Sequence, residues 1–166
     1  MERPFDNQNT KITYRLATKT DLATLTELRW TFRTEEEPAP KDVDKAMFLT
    51  ACLDFLQQGM ETKQWVYWIA EANGEIVSQV FVQRVRKVPK PSHLYDVYGY
   101  ITNVYTRATF RGQGIGSELM QHVVQWAEAE KLDTLIVWPS EESGRFYQRL
   151  GFRADNDVME LEFVHK

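Results

Sequence analysis

Residues 107–117 read Arg107-Ala108-Thr109-Phe110-Arg111-Gly112-Gln113-Gly114-Ile115-Gly116-Ser117, between a run rich in β-branched and aromatic residues and a run with helical periodicity. Glycines at alternate positions free the backbone from side-chain sterics, so several N–H groups can turn toward one point. That point attracts an anion, because the N-terminus of the following helix adds roughly half a positive charge there. A phosphate or pyrophosphate gains hydrogen bonds and field together. The plainer reading of the same residues is a glycine turn feeding a core helix. Two nucleotide motifs are disfavoured. A dinucleotide loop needs a further glycine where Ser117 and Leu119 stand, together with an early βαβ unit, and a Walker loop needs a lysine, of which there is none between Lys90 and Lys131.

A second stretch, Ser143-Gly144-Arg145-Phe146-Tyr147-Gln148-Arg149-Leu150-Gly151-Phe152, falls in a predicted helix over 141–150 closed by Gly151. Tyr147 lies four residues after Ser143 and four before Gly151, one turn each way, so the three share a helix face. Other titratable or nucleophilic groups are poorly placed for chemistry. Cys52, the single cysteine, sits in a predicted helix with no histidine nearby in sequence, and His93, His122 and His165 have no metal-ligand spacing. No disulfide within the chain and no metal site is expected.

The elements that must position these segments follow from periodicity. A strand is predicted over 12–17 and a helix after Thr20-Asp21, with Leu22, Leu25, Leu28 and Phe32 at helical spacing, ended by Glu35-Glu36-Glu37-Pro38-Ala39-Pro40. A second helix over 42–58 places Val43, Met47, Ala51 and Phe55 on its apolar face, with Gly59 as its C-terminal cap. Asn73-Gly74 predicts a tight hairpin between strands over 65–70 and 76–85. A basic, proline-punctuated loop leads to a long central strand over 94–106. The helix over 115–130 repeats Leu119, Val123 and Ala127 every four residues, a short strand is predicted over 134–138, and one or two strands over 152–164 end the chain. The aromatic residues Trp65, Trp68, Tyr98 and Tyr100 are expected to pack the core.

At 166 residues and 43% apolar content the chain suits one domain, over 11–166, preceded by a flexible segment over 1–10. No run approaches the length of a membrane span, and the first residues lack the apolar core of a signal peptide, so a cytoplasmic protein without a membrane partner is expected. A net charge of -4 lacks the basic footprint of a nucleic-acid binder and leans toward a cationic substrate.

Arg111-Gly112-Gln113-Gly114-Ile115-Gly116 resembles the Arg/Gln-x-x-Gly-x-Gly/Ala element with which the GNAT superfamily of N-acetyltransferases holds the pyrophosphate of acyl-coenzyme A. The stretch from Ser143 to Phe152 is similar to that family's Ala-x-x-Leu-Tyr-x-Lys-x-Gly-Phe signature. The two stand in the right order with a helix and strand between them. The resemblance implies an α/β fold, the acyl-CoA N-acyltransferase fold: a mostly antiparallel sheet, splayed between strands 4 and 5 and flanked by about four helices. In that fold Val104, Tyr105 and Thr106 would offer backbone to the pantetheine arm and an N–H to the developing oxyanion. Gly112, Gln113, Gly114, Ile115, Gly116 and Ser117 would bind the pyrophosphate, with Arg111 near the phosphates. Ser140 stands where the family often has a cofactor-contacting Asn, and Ser143 where it has Ala.

By the same resemblance Tyr147 is the general acid that protonates the departing thiolate. The family often places a Glu on the strand before the loop to deprotonate the amine, but residues 99–103 contain no acid. Glu36 and Asp96, with Glu35 and Glu37, are the candidates in its place. The expected activity is transfer of acetyl from acetyl-CoA, as co-substrate, to a primary amine on a small molecule. A protein amine as acceptor, or a non-catalytic acyl-CoA-binding module, are the alternatives. A homodimer is possible in this architecture.

Overall fold

The computed structural model describes residues 11–154 together with Leu161 and Phe163. The segment over 1–10 and all but the start of the predicted C-terminal strands lie outside the described residues. In chain order the elements are β1 (Ile12–Leu16), a 3-10 turn (Lys19–Asp21), α1 (Leu22–Glu36), α2 (Lys45–Glu61), β2 (Trp65–Ala72), β3 (Glu75–Arg86), β4 (Val97–Thr106), a second 3-10 turn (Ala108–Phe110), α3 (Ile115–Ala129), β5 (Leu135–Val137) and α4 (Gly144–Arg149).

The strands form one sheet in the order β1-β2-β3-β4-β5. Neighbours are antiparallel except the last pair, in which β5 runs parallel to β4. Asn73 and Gly74 turn β2 into β3 with both residues at positive φ, 51° and 84°, the twist a two-residue hairpin needs. Alternation along the strands sends side chains to two cores. One, under α3, gathers Ala70, Val80, Val82, Ile101, Leu119, Met120 and Val123; the other, under α1 and α2, gathers Leu22, Leu25, Leu28, Leu56, Tyr67, Ile69 and Phe81. None of the described helices is long and apolar enough to cross a membrane.

Two departures from the sequence reading concern the second helix. The stripe Val43, Met47, Ala51, Phe55 faces outward, Met47 and Phe55 being 72% and 51% exposed. The buried side carries Leu56 and Gly59, with Cys52 and Leu53 packed beside them. Gly59 is the reason. A Cβ there would lie 2.5 Å from Tyr67 Oη, and that hydroxyl donates to the Leu56 carbonyl at 3.1 Å, so the glycine permits the close approach of α2 to β2. It is a contact point inside the helix and not its cap, which is Thr62. The predicted central strand also starts later, at Val97, leaving Leu94 and Tyr95 60% and 83% exposed.

The β1–α1 junction is held by charge. Arg15 donates to both oxygens of Asp21 at 2.8 and 3.0 Å and to Glu71 at 2.7 Å. The Arg15 hydrogen bonds, opposed by burial and aided by Thr18, pull the Asp21 carboxyl down to about 2. A carboxyl depressed in the folded state stabilises the fold above its ordinary pKa, and that stabilisation is lost as pH falls toward the depressed value. Asp21→Asn is therefore expected to cost about 1 to 2 kcal/mol at pH 7, and to flatten the fall in stability between about pH 4 and pH 2, as read by urea unfolding across that range. A variant whose acid limb matches the unaltered protein would refute the assignment.

Candidate active site

The site begins where β4 and β5 part. They pair at Gly99–Leu135, Tyr100–Ile136 and Ile101–Val137, and there the ladder stops. From Thr102 to Thr106 the edge of β4 facing β5 has no strand partner among the described residues, so its backbone groups can take an added extended chain. On the other side, β4 bulges against β3: Phe81 pairs with Thr102 and Gln79 with Tyr105, so Asn103 and Val104 together oppose Val80. Asn103 occupies the left-handed region at φ 53°, which an asparagine tolerates better than most residues.

A cleft of about 1150 Å³ opens from this parting. One wall is the C-terminal half of α1, with Arg29, Phe32, Arg33, Glu35 and Glu36. The floor is β4 from Tyr100 to Thr106. The far wall brings Val137, Trp138, Ser140 and Ser143 together with Phe146 and Tyr147 of α4, and the end is closed by the glycine loop.

Within that loop Gly112 and Gly114 take φ of 74° and 79°, and a Cβ on either would meet nothing within 4 Å. The backbone there is a cradle with open space in front of it. Gly114 is the N-cap of α3 and has no side chain to satisfy the helix's first N–H groups. Those of Ile115, Gly116 and Ser117 remain for an anion. Gln113 alone of residues 111–117 does not line the cleft; its amide donates to the Thr109 carbonyl at 3.2 Å.

Arg111 is held in a specific pose. Its Nε donates to the Thr106 carbonyl at 2.9 Å, its Nη2 to Glu35 at 2.7 Å, and its guanidinium lies 5.4 Å from the Tyr105 ring centroid. Tyr105 Oη donates to the other Glu35 oxygen at 2.8 Å. Burial pushes the Glu35 carboxyl up, but the hydrogen bonds from Arg111 and Tyr105 and the Arg111 charge outweigh it and hold the group below the usual carboxylate range. Glu35 is thus a latch between α1 and the loop, and a weak base.

Tyr147 is 7% exposed, packed edge-on against Phe146 and Phe152 at 5.0 and 5.5 Å, and lines the cleft wall. Burial pushes the phenol up to about 12. It stays protonated throughout the working pH range, the state a proton donor needs. Beside it Ser140 donates to Ser143 Oγ at 3.0 Å, and Ser143 donates in turn to the Ser140 carbonyl at 3.1 Å, which closes the turn before α4.

The four candidate carboxylates separate: Glu35 and Glu36 border the cleft, Glu37 and Asp96 do not. Glu36 lines the cleft, paired with Arg33 one turn back. Asp96 does not line it. It precedes β4, 6% exposed and 3.5 Å from Lys90, roughly 13 Å of strand before Tyr100, the first cleft-lining position of β4. Proximity in sequence to the catalytic strand was misleading, because the strand is long and only its far half borders the cleft. Tyr100, expected in the core, instead lines the cleft against Trp138 at 4.8 Å between ring centroids. Cys52 lies away from the cleft, half-buried, with burial pushing its thiol up, the reverse of what a nucleophile needs.

Several residues of the cleft carry no expectation from the sequence, among them Arg29, Arg33, Asn103, Trp138, Glu142 and Arg149. The signal for the first was present. Leu22, Leu25 and Thr26 are buried at helical spacing, and Arg29 continues that face, an arginine where the pattern calls for an apolar residue.

A sheet parted beside a glycine-rich helix N-terminus, with a buried tyrosine across the gap, is the arrangement of an acyl-coenzyme A-dependent transferase. Residues 22–152 match the model of the Acetyltransferase (GNAT) family, and the chain belongs to that family, whose members use acetyl-CoA. A glucosamine 6-phosphate N-acetyltransferase of Trypanosoma brucei brucei is 33% identical over 64 residues, which span 39% of this chain and 44% of that relative. Among solved structures, a predicted acetyltransferase from Clostridium acetobutylicum, crystallised with acetyl-CoA, has a TM-score of 0.75 at 24% identity, covering 92% of this chain and 96% of its own. The glucosamine-6-phosphate N-acetyltransferase of Arabidopsis thaliana has a TM-score of 0.66 at 17% identity, covering 93% and 99%.

Proposed function

We propose that the protein is an N-acetyltransferase that moves the acetyl group of acetyl-CoA to a primary amine on a small molecule, by direct attack in a ternary complex. The observation that carries this reading is Tyr147, a buried phenol kept protonated in the wall of a cleft whose floor is a strand edge unpaired among the described residues. The cleft residues fit acetyl-CoA. Backbone of Val104, Tyr105 and Thr106 pairs with the pantetheine arm, and the N–H groups of residues 112–117 take the pyrophosphate. The cofactor-like substrate supplies an activated thioester carbon.

In the reaction the amine nitrogen forms a bond to the acetyl carbonyl carbon, the carbon–sulfur bond breaks, and the products are an amide and coenzyme A. A β4 backbone N–H steadies the charge that develops on the carbonyl oxygen. Tyr147 gives its hydroxyl proton to the leaving sulfur. The ammonium proton leaves through water, which also returns a proton to the Tyr147 phenolate, since Glu35 is committed to Arg111 and Tyr105, Glu36 to Arg33, and the remaining cleft carboxylate, Glu142, is exposed to solvent. The relatives named for glucosamine 6-phosphate point to amino sugar phosphates as one member of the small-amine class.

Two measurements test the reading. Acetyl-CoA at 100 times its Kd is expected to stabilise the fold by about 2.7 kcal/mol in a thermal-shift assay, and an unmoved melting temperature would remove the cofactor site. Thiol release across a panel of small amines and peptide N-termini then separates a small-molecule enzyme, a protein acetyltransferase and a non-catalytic binder.

A further inference from the structure

The charges lining the cleft pair off unevenly. Arg33 takes Glu36, and Arg111 takes Glu35. Among the described residues Arg29 and Arg149 are left with no carboxylate at ion-pair distance, and of the two only Arg29 is half-buried, Arg149 being exposed. The one hydrogen bond that the Arg29 side chain makes among the described residues is to a neutral acceptor, Asn103 Oδ1, at 2.9 Å.

Arg29 is half-buried, on the helix face that also holds Leu22 and Leu25. A guanidinium taken out of water without a counter-charge is costly unless something anionic completes it. Burial, then the charge of Arg33, pull its pKa down, and the weaker influences of Cys52, Glu36 and Tyr100 do not restore it. Next to it Asn103 Nδ2 is buried with no partner. Arg29 and the amide whose Nδ2 lacks an acceptor among the described residues are therefore joined side by side, at the β4 bulge and two residues beyond the end of the β4–β5 ladder. Arginine suits a carboxylate or phosphate there because its planar fork can bind either through two parallel hydrogen bonds.

We propose that the acceptor amine carries an anionic group, a carboxylate or a phosphate, and that Arg29, with the Asn103 amide beside it, binds that group. This rests on the transferase reading and adds the class of acceptor. The net charge of -4 leans the other way, toward a cation. It is spread over the surface, however, and screened beyond about 8 to 10 Å, whereas a half-buried cation acts on a ligand at contact distance. Trp138, 57% exposed in the opposite wall, leaves an apolar surface for the rest of a small acceptor.

The test uses matched amines with and without the anion: an amino acid against its amide, and an amino sugar phosphate against the amino sugar, with rates expressed per free amine. Thiol release by the unaltered protein is expected to favour the anionic member of at least one pair about 10- to 100-fold in kcat/KM, the range of a charge-assisted hydrogen bond, and the preferred pair identifies carboxylate or phosphate. Arg29→Gln should collapse that ratio toward one, through KM, and Arg29→Lys should restore part of it. Equal turnover of both members, or a preference that survives Arg29→Gln, would overturn the anion site. Calorimetric binding of the same amines to the coenzyme A-loaded protein keeps the two readings apart. Thiol release without preference removes the anion site and leaves the transferase. Arg29-dependent binding of the anionic members without thiol release does the reverse.

Discussion

Replacing Tyr147 with phenylalanine is expected to lower kcat about 10²-fold, the low end for loss of a general acid, while acetyl-CoA affinity changes little. The ring stays in place against Phe146 and Phe152, so the packing that shapes the cleft wall survives. Only the proton that the sulfur needs as it departs is lost, and only the transition state feels its absence. Burial, which pushes the phenol up to about 12, also fixes a pH signature. A general acid works while protonated, so no alkaline fall in kcat from this group is expected within the range where the protein remains folded. A kcat within twofold of the unaltered enzyme, where chemistry limits turnover, would take Tyr147 out of the mechanism. Glu36→Gln is expected to cost less than Tyr147→Phe, because Glu36 is already engaged by Arg33 and water can carry the amine's proton.

Gly114→Val is expected to abolish measurable acetyl-CoA binding at concentrations that saturate the unaltered protein. Gly114 holds φ 79° at the first turn of α3, a conformation a β-branched residue adopts only with strain of about 1 to 3 kcal/mol or more. No other protein atom lies within 4 Å of where its Cβ would stand, and Gly114 lines the cleft, so the new side chain is expected to extend into open space and obstruct the approach to the N–H groups of Ile115, Gly116 and Ser117. Strain and blockage are separable. Gly74 in the β2–β3 hairpin has φ 84° and equally open surroundings, far in sequence from the cleft. Gly74→Val is expected to lower stability comparably and to leave acetyl-CoA affinity unchanged, as read by calorimetry and urea unfolding. If Gly114→Val retains affinity, or if both variants lose it equally, the loop is not the pyrophosphate cradle.

Much of this was legible in the order of residues, for local reasons. A left-handed turn needs glycine or asparagine, so Asn73-Gly74 and the loop glycines mark their own conformations. The four-residue repeat of Leu119, Val123 and Ala127 corresponds to one buried face of α3 because only one face of that helix is apolar. Tyr147 and Ser143 share the cleft wall because residues four apart on a helix point the same way. The second helix was not legible in the same way. Apolar residues fall on more than one side of α2, and the choice of the buried side is made by Tyr67 and Trp65 on a different strand, against which only a glycine fits.

The sequence by itself determined the elements, the loop that turns N–H groups toward an anion and the helix face that carries Tyr147, since each depends on backbone preferences and contacts within a few residues. Tertiary structure alone decided which charges meet. The pairing of Glu35 with Arg111 joins residues 76 apart, and that of Arg29 with Asn103 residues 74 apart. Neither spacing carries a signal, because the chain between them is free in length and the partners are chosen by sheet register and the packing of α1 over β4. The same long-range geometry left Asp96 beyond the cleft, brought Tyr100 into it, and left Arg29 half-buried with no counter-charge among the described residues.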